Sequence, residues 1–554
     1  MTEHKHIGKI VGALMAAAVA FCLIVTLFAD RFVAVSGSSA ATMEYKSTLF
    51  DTSEIMTVNI IMDEDQWQEL LDNAISEKYY ACDVEINGET ISNVGIRTKG
   101  NTSLSSIAND PDTDRYSFKI KFDKYVDGQT CMGLDKLVLN NNFADATNRK
   151  EALVYDMFQY LGADASLYHY AKISVNGEYW GTYLALEAVE DSFKLRNYGV
   201  SDGKLYKPET MGMGNDQKED GINSDMSDRN VDTDADTNAD TNVDSNTNIF
   251  GSEEVDLARD NNPMDRPERP QGDFDQADMD EKFKDPQGDP GDFGGFDNRN
   301  GGADLNYTDD DTDSYSTIWD GADGKVTDSD KERVVTAIKN INEGTDLTTY
   351  LDVDNILKYM AVHEFVVNLD SLSGNMAHNY YLYENDGQLN IIPWDYNLSF
   401  GGMMNGGMGG GPGRESTESS GATSMINDPI DTPFDGTDFF DALLENEEYL
   451  AQYHGYLRQL AEEYVQGGRL QEVWERLDAQ TDELIETDPT AFYTAAEYEE
   501  AKETLWTVLQ LRAESVLGQL NGTIPSTDDG QQNAQDTLID GSAIDLSVMG
   551  EFNH

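Results

Sequence analysis

Two isolated aspartates interrupt the apolar runs of one segment, residues 368–402, which has the sequence NLDSLSGNMAHNYYLYENDGQLNIIPWDYNLSFGG. Asp370 and Asp395 each lie two positions from an asparagine, where a run gives way to a turn. Turn capping is one interpretation. A metal–nucleotide site is the other, because two carboxylates and an amide oxygen are hard ligands suited to Mg²⁺ or Mn²⁺. The stretch between them predicts a hairpin, which would let both carboxylates face one cleft.

The chain from residue 44 to about 135 is predicted to be mostly β-structure. YYACDVEING and ETISNVGIRTKGNTS predict a hairpin across Asn87 and Gly88. In YSFKIKFDKY, strict alternation places the apolar side chains on one face and Lys119 and Lys121 on the other. Lysines on such a face are either solvated or available to bind phosphate.

Two helices are predicted on either side of the acidic middle of the chain. DATNRKEALVYDMFQYLGA predicts a helix that Thr147 or Asn148 caps and Gly162 ends, with Glu151 in its first turn. An early glutamate is also simply favoured by the helix dipole. DVDNILKYMAVHEFVVNL predicts a second helix, which runs directly into the segment of Asp370.

The order of these parts resembles that of a protein kinase. There, a strand lysine binds phosphates and pairs with a helix glutamate, a loop aspartate orients the acceptor hydroxyl, and an asparagine and a second aspartate hold metal ions. Phosphoryl transfer needs such a set because its catalysis consists mostly of positioning and charge neutralisation. The Gly-rich loop and HRD motif of ordinary protein kinases are missing from the sequence.

The sequence resembles the CotH kinases, a family named after a spore-coat protein. The resemblance extends from about Gly95 to Gly402, apart from an acidic insertion, and is carried by GIRTKGNTS, YSFKIKF, LDKLVLNNNFADATNRKEAL, VNGEYWGTYLALEAVE, GKLYKPE, DVDNILKYMAVHEFVVNLDS, NMAHNYYLYE and IIPWDYNLSFGG. It implies an α+β, two-lobed atypical protein-kinase-like fold, here followed by a C-terminal helical region. It also implies ATP with Mg²⁺ or Mn²⁺, and phosphorylation of Ser or Thr in proteins.

The resemblance assigns the acidic and amide residues of the opening segment. Asp370 in NLDS corresponds to the catalytic aspartate, and Asp395 in PWDYN to the metal-binding aspartate. Asn379 in HNYYLY is the expected asparagine ligand of the metal. Asn375 lies five residues after Asp370, as in ordinary kinases, and is the alternative. His378 is expected to be a packing or capping residue rather than a base.

The resemblance also assigns the residues that would hold ATP. Lys119 is expected to bind phosphates, with the lysine two positions later as the alternative, and Glu151 is expected to pair with it. Arg97 and Lys99 in IRTKGN are expected to contact phosphates. Glu187 lies where a hinge would hold adenine.

The strongly negative net charge of the chain limits the functions that it can have. The 554 residues carry a net charge of −66, much of it in a segment from about Gly214 to Asp313. That segment is too poor in large apolar residues to offset chain entropy, so we expect it to be disordered. The acidic balance excludes a nucleic-acid binder, whose surface is basic, and favours a basic, Ser-rich protein substrate. The DTDADTNAD run lacks the turn glycine and terminal glutamate of an EF-hand.

The N-terminus predicts a membrane segment. Ile10 to Ala29 is free of charged residues and long enough to span a bilayer, and Lys5 and Lys9 precede it. We therefore expect an anchor with the bulk of the chain extracytoplasmic, or a secreted chain if the small residues that follow allow cleavage. Cys82 and Cys131 either pair outside the cell or remain buried thiols.

These features divide the chain into six parts. They are a signal anchor or signal peptide (1–43), a β-rich N-terminal lobe (44–207), a disordered acidic insertion (208–314), a C-terminal lobe with the catalytic and metal-binding segments (315–435), a helical part (436–520) and a disordered tail (521–554). Two further functions stay open. One is a non-catalytic cell-surface binding or adhesion protein on the same fold, and the other is a kinase-like enzyme that transfers AMP.

Overall fold

The structure is a computed structural model, and it describes residues 43–210, 301–374, 376–403, 418–434 and 436–550. The predicted membrane anchor, most of the acidic insertion and Asn375 lie outside these residues. Among the described residues, no helix is both long enough and apolar enough to cross a membrane.

A closed β-barrel forms the first part of the chain. Its strands are β1 (Met56–Ile61), β2 (Tyr80–Ile86), β3 (Glu89–Lys99), β4 (Ser117–Lys121), β5 (Lys136–Asn140), β6 (Tyr168–Val175) and β7 (Glu178–Glu187). They close in the order β1-β2-β3-β4-β5-β7-β6. The β1–β6 pair that closes the barrel is parallel, and the other neighbours are antiparallel.

The barrel follows the predicted strand pattern. Asn87 and Gly88 take left-handed conformations, with φ of 50° and 85°, in the turn that joins β2 to β3. A tight hairpin turn requires such dihedrals, which explains the Asn-Gly pair. On β4, Phe118 and Ile120 are fully buried in the barrel interior, whereas Lys119 lies on the outer face. The predicted hairpin and the predicted faces of β4 are confirmed.

A small second sheet and a set of helices complete the described chain. The strands β8 (Lys204–Tyr206), β9 (Tyr380–Asn385) and β10 (Gln388–Pro393) form an antiparallel sheet in the order β10-β9-β8. The α-helices are α1 (Glu44–Thr48), α2 (Glu64–Asp72), α3 (Thr102–Asn109), α4 (Lys150–Leu161), α5 (Asp191–Tyr198), α6 (Ser316–Asp320), α7 (Asp328–Asn342), α8 (Leu347–Tyr350), α9 (Val353–Val366), α10 (Glu418–Ile426), α11 (Asp441–Leu444), α12 (Glu447–Arg458), α13 (Arg469–Glu486), α14 (Ala495–Leu520) and α15 (Asp528–Asn533). A π-helical segment, Gln459–Val465, continues α12, and single 3₁₀ turns form at Ala74–Ser76, Thr312–Tyr315, Gln535–Thr537 and Leu546–Met549. The α+β class is therefore confirmed.

Helix α4 begins and ends close to its predicted limits. Gly162 stops it in a left-handed conformation, with φ of 70°. At its start, the Thr147 hydroxyl accepts the backbone N–H of Arg149, as a cap would. The carboxylate of Asp145, which the sequence did not single out, accepts the N–H groups of both Arg149 and Lys150, at 3.0 and 2.9 Å. Such bonds satisfy the first N–H groups of a helix and fix where it begins.

The described chain stops at Thr210 and resumes at Gly301, earlier than the boundary expected near residue 315. The Thr210 hydroxyl donates to the backbone oxygen of Met376. The hydroxyl of Tyr380, at the start of β9, donates to the backbone oxygen of Ala303 at 2.6 Å. Both flanks of the acidic insertion are thus bonded to the stretch 376–380.

The C-terminal stretch differs from the disordered tail expected over 521–554. It contains α15 and the turn Leu546–Met549, and the side chains of Leu546 and Met549 are 5% and 1% exposed. The backbone oxygen of Met549 accepts the N–H of Ala146, just before α4, at 3.1 Å. A few apolar residues are enough to pack this polar stretch against the rest of the protein. They were not recognised from the sequence because the stretch as a whole is polar.

The two described cysteines do not form a disulfide. Cys82 lies on β2 and Cys131 between β4 and β5, and both are buried free thiols. Burial raises the pKa of each thiol to about 12. Of the two alternatives, the structure therefore favours buried, unreactive thiols.

Candidate functional site

Asp370 lies in the loop between α9 and β9, and its carboxylate is held by two donors. The His378 ring nitrogen Nε2 lies 2.6 Å from Oδ1, and the amide nitrogen of Asn379 donates to Oδ2 at 3.0 Å and to the Asp370 backbone oxygen at 2.9 Å. Burial alone would lower the pKa of His378, but the bond to Asp370 outweighs it and the pKa is raised. Since its amide nitrogen is bonded to Asp370, Asn379 directs its amide oxygen elsewhere.

Asp395 is brought beside Asp370 by the β9–β10 hairpin. Tyr380 at the start of β9 pairs with Pro393 at the end of β10, so Asn379 and Asp395 leave the same end of the hairpin. Asp395 adopts a left-handed conformation, with φ of 59°. This conformation is uncommon outside glycine and asparagine and is concentrated at functional sites. The predicted return of the chain is confirmed.

A chain of polar contacts leads from the barrel to helix α4. The ammonium of Lys99, the last residue of β3, donates to the Asn140 side-chain oxygen at 2.8 Å. The Asn140 amide nitrogen donates to Glu151 Oε2, also at 2.8 Å. The same ammonium lies 5.8 Å from the ring centre of Trp394, the residue before Asp395. Lys99 therefore lies between Glu151 and the segment of Asp395.

The electrostatics of this cluster favour an added cation. Burial raises the pKa of Glu151, and the nearby Asp395 carboxylate raises it further. Burial likewise raises the pKa of Asp395, with Lys99 opposing the shift and Asp370 adding to it. Burial lowers the pKa of Lys99, against the pull of both acids. Glu151 Oε1 is buried without a hydrogen-bond partner. Lys99 therefore faces three acidic side chains, and the charges of Lys207 and His378 also act on Asp395.

The donor set fits a nucleotide-bound magnesium ion better than a metal bound by protein alone. Among the described residues, no group of three or more His, Cys, Asp or Glu side chains is arranged to hold a metal ion. The chain instead offers the carboxylates of Asp370 and Asp395 and the amide oxygen of Asn379. Mg²⁺ in nucleotide enzymes is typically bound by one or two carboxylates, with waters and phosphate oxygens completing its shell. Asp395 and Asn379 can serve as those ligands.

Lys119 was expected beside Glu151, but the structure places the ammonium of Lys99 there. In the barrel register, Lys119 on β4 pairs with Arg97 on β3, and Lys99 pairs with Ser117. Paired residues share a face, so Lys99 and Lys119 lie on the same outer face of the barrel, two residues apart along the strands. The structure therefore brings Lys99, rather than Lys119, next to the Asn140–Glu151 pair. Lys121, the alternative, lies opposite Gly95, farther along the same face.

Arg97, which was expected to contact phosphates, bonds to neighbouring groups of the barrel region. Its guanidinium is buried and bonded to Glu77 at 2.6 Å and to the backbone oxygen of Thr98 at 3.0 Å. It also lies 5.4 Å from the ring centre of Tyr79. These contacts tie β3 to the segment that follows the Ala74–Ser76 turn.

Glu187, expected at an adenine-binding hinge, is a buried structural residue at the end of β7. Both of its carboxylate oxygens accept from the guanidinium of Arg196 on α5, and they also accept from the Tyr45 hydroxyl and the Leu167 N–H. Its own N–H donates to the Leu167 oxygen. The side chain therefore bonds to protein groups and not to the cleft.

Replacing Glu187 by glutamine is expected to destabilise the chain by about 3–5 kcal/mol, because it leaves the buried charge of Arg196 without its counter-charge. The free energy of unfolding in urea measures the loss. The control is Glu69→Gln, since Glu69 forms an exposed pair with Lys78, and it should leave that free energy nearly unchanged. Equal effects of the two substitutions would contradict a structural role for Glu187.

Sequence reasoning missed three members of the cluster. His378 was set aside as a packing residue, although its place next to Asn379 was a signal that it faces the same site. Asn140 ends β5 in the run LVLNNN. With three consecutive asparagines, the sequence does not indicate which of them bonds to Lys99 and Glu151. Lys207 in GKLYKPE pairs with Glu209, and its charge opposes the raised pKa that burial gives Asp395.

Comparison with known proteins identifies the family. No curated protein matches the chain. The family described as CotH kinase protein matches residues 96–255 and 274–516, more than half of the chain. The matched ranges contain Lys99, Asn140, Glu151 and both aspartates of the cluster. The chain belongs to the CotH kinase family.

Proposed function

We propose that this chain is a protein serine/threonine kinase that transfers the γ-phosphate of ATP to a hydroxyl of a protein substrate, with a divalent metal. The observation that carries the proposal is the meeting of Asp370, Asn379 and Asp395 with the Lys99–Asn140–Glu151 chain. This arrangement supplies a cation for phosphates, ligands for a metal and a carboxylate for the acceptor. We further propose that the barrel with α4 forms one lobe of a kinase-like fold, and that the helices from α7 onward belong to the other.

Lys99 is the residue proposed to hold the phosphates of ATP. Asn140 fixes its ammonium on one side, and Glu151 fixes Asn140 in turn. Desolvation strengthens a phosphate contact, because an ammonium in a low-dielectric site attracts an anion more strongly than in water. Glu151 thus acts on Lys99 through Asn140, whereas the sequence suggested that Glu151 pairs with Lys119.

Asp395 and Asn379 are the residues proposed to hold Mg²⁺ or Mn²⁺. The metal, when bound, supplies neutralisation of the charge that develops on the transferring phosphoryl group. The chain prepares for it by holding two carboxylates close together in a largely buried cluster, where a cation relieves their mutual repulsion.

Asp370 is the residue proposed to receive the acceptor hydroxyl. Each carboxylate oxygen can accept two hydrogen bonds. His378 uses one site on Oδ1 and Asn379 one on Oδ2. These two donors fix the plane of the carboxylate, and the sites that remain can orient a serine or threonine hydroxyl and take its proton.

The substrate proposed is a basic, Ser-rich protein that meets the chain at the cell surface, with the chain anchored by its N-terminal segment or secreted. The net charge of −66 supports the first part, because an acidic protein attracts a basic partner over distances near the Debye length. Removing residues 215–300, which leaves the bonded stretch from Gly301 onward in place, is expected to weaken the salt dependence of KM for such a substrate. Steady-state kinetics at several salt concentrations measures it, and an unchanged dependence would sink the proposed attraction.

Mass spectrometry of the products tests the proposed activity. The purified full chain is incubated with ATP, Mg²⁺ or Mn²⁺, and a basic Ser-rich protein, beside an Asp370→Ala variant. The proposal expects phosphoserine or phosphothreonine from the parent and none from the variant. A mass increment of AMP would instead establish an AMP transferase. A parent that binds ATP without any product would establish a non-catalytic binding protein on this fold.

A further inference from the structure

Helix α4 carries functional groups on two opposite faces. Glu151 lies on the face toward Asn140 and Asp395. Asp156 follows five residues later, which at 3.6 residues per turn places it about 140° around the helix. Its carboxylate is 4% exposed and lies among residues of the C-terminal region. Glu151 is therefore presented to the site from one face while the opposite face is anchored.

Asp156 is the anchor on that opposite face. Arg469, the first residue of α13, grips both carboxylate oxygens, with Nη2 at 2.8 Å from Oδ1 and Nε at 3.3 Å from Oδ2. The Tyr464 hydroxyl donates to Oδ2 at 3.0 Å, and the Tyr168 hydroxyl to Oδ1 at 2.9 Å. A two-pronged arginine–carboxylate contact fixes orientation as well as distance.

Arg149 anchors the start of α4 to the same region. Its guanidinium is 1% exposed and lies 2.7 Å from both Asp478 and Asp482 of α13. It also donates to the hydroxyl of Tyr498 on α14 at 2.8 Å and stacks 4.8 Å from the ring centre of Trp474. The helix that carries Glu151 is thus tied at its N-terminus to two C-terminal helices.

The C-terminal stretch adds contacts just before α4. The Ala146 N–H donates to the Met549 oxygen. The hydroxyl of Tyr493, before α14, donates to the Phe143 oxygen at 3.1 Å. The loop that caps α4 is therefore bonded both to the α13–α14 connection and to the turn Leu546–Met549.

We propose that the C-terminal helices and the turn Leu546–Met549 are the positioning element of α4, and that Arg149 and Asp156 are the positioning residues through which they hold Glu151 beside Lys99. The expected effect on nucleotide affinity rests on the proposed function. The contacts described for Arg149 and Asp156 do not include Lys99, Asp370 or Asp395. Their effect on the site passes through the placement of α4.

An external anchor matters because α4 meets the site through the hydrogen bond from the Asn140 amide to Glu151. Glu151 is buried beside another acid, and one of its oxygens has no hydrogen-bond partner. Burial and the nearby Asp395 carboxylate raise the pKa of Glu151 to about 8, so its ionised form is disfavoured and its contact with Asn140 holds α4 only weakly against movement away from the site. The ion pairs on the opposite face oppose that movement. Without them, Glu151 would no longer hold Asn140 and Lys99 in place.

The test uses two arginines in matched settings. Arg469 and Arg333 are 39% and 38% exposed, and each grips a buried carboxylate with two nitrogens, Asp156 and Glu384 respectively. Arg333 lies on α7, and its partner on β9. Arg469→Gln and Arg333→Gln are compared in the full chain for binding of a non-hydrolysable ATP analogue with Mg²⁺, and for amide hydrogen exchange over residues 150–161.

Arg469→Gln is expected to weaken analogue binding about tenfold, which corresponds to about 1.4 kcal/mol, and to speed exchange in α4. Arg333→Gln should leave both within about twofold. Arg469→Lys, which keeps a positive charge beside Asp156, should restore part of the affinity together with part of the protection from exchange in α4. Equal effects of the two glutamine variants, or unchanged exchange in α4, would overturn the proposal. A parent that binds no analogue would refute the proposed function, and exchange in α4 would then decide the positioning role by itself.

Discussion

Replacing Asp395 by asparagine is expected to lower kcat for phosphotransfer at least about 10³-fold, because roughly 4 kcal/mol of transition-state stabilisation disappears with the metal ligand. Stability should not fall with it. Burial raises the pKa of Asp395, so its ionised form opposes folding at neutral pH, and a neutral amide of the same shape removes that cost. The variant without added metal is therefore expected to unfold at the same urea concentration as the parent, or a higher one.

The matched control is Asp164→Asn. Burial also raises the pKa of Asp164, and its carboxylate accepts from Asn390 on β10, so it belongs to the same hairpin region without joining the cluster. Its variant should retain kcat within about twofold. Single-turnover phosphotransfer and urea unfolding are measured on both variants. Retained activity in Asp395→Asn, or an equal loss in both, would remove Asp395 from the site.

Replacing Lys99 by methionine is expected to lower kcat/KM for ATP by about 10²–10³-fold, since a buried ammonium that neutralises phosphate charge is lost. Methionine keeps most of the length of the side chain, so the packing near Trp394 and Asn140 should persist. The KM for ATP should rise as well, because the same contact holds the ground-state phosphates. Initial rates over a range of ATP concentrations give both quantities.

Lys119→Met is the matched control for Lys99→Met. Lys119 lies on the same outer face as Lys99, two residues away along the β3–β4 pair, whereas it is Lys99 that donates to Asn140. Its variant is expected to keep kcat/KM within about fivefold of the parent, which is the range of a peripheral charge. The reverse ranking of the two variants would return the phosphate-binding role to Lys119, as the sequence pattern had suggested.

The choice between these lysines shows where sequence reasoning reaches its limit. Alternation on β4 correctly placed Lys119 outside the barrel, and the hairpin turn at Asn87 and Gly88 was recognisable from its residue types. Alternation identifies a face but not a position on it. Which lysine meets Glu151 depends on the β3–β4 register and on where α4 crosses the barrel, and both are tertiary facts.

The two aspartates were found because their signal is local. Asp370 and Asp395 are separated by one hairpin, and that hairpin could be predicted from the short stretch of sequence between them. The anchors of α4 had no such signal. Asp156 and Arg469 are separated by most of the chain, and an acid within a helix is indistinguishable in sequence from a solvated one. The turn Leu546–Met549 was hidden for a related reason, since its apolar residues are few and lie in a polar stretch.

The distant anchoring of α4 sets an order of events during biosynthesis. The barrel and α4 leave the ribosome early, but Arg469 lies about 300 residues beyond α4 and is added roughly 15–60 s later at about 5–20 residues per second. The contact from Met549 to Ala146 forms later still. A nascent chain therefore holds a nearly complete barrel in which Glu151 is not yet fixed. On the proposed function, the growing polypeptide binds nucleotide only weakly until α13 and the turn Leu546–Met549 are made, and a stop codon before that turn would act as an active-site mutation.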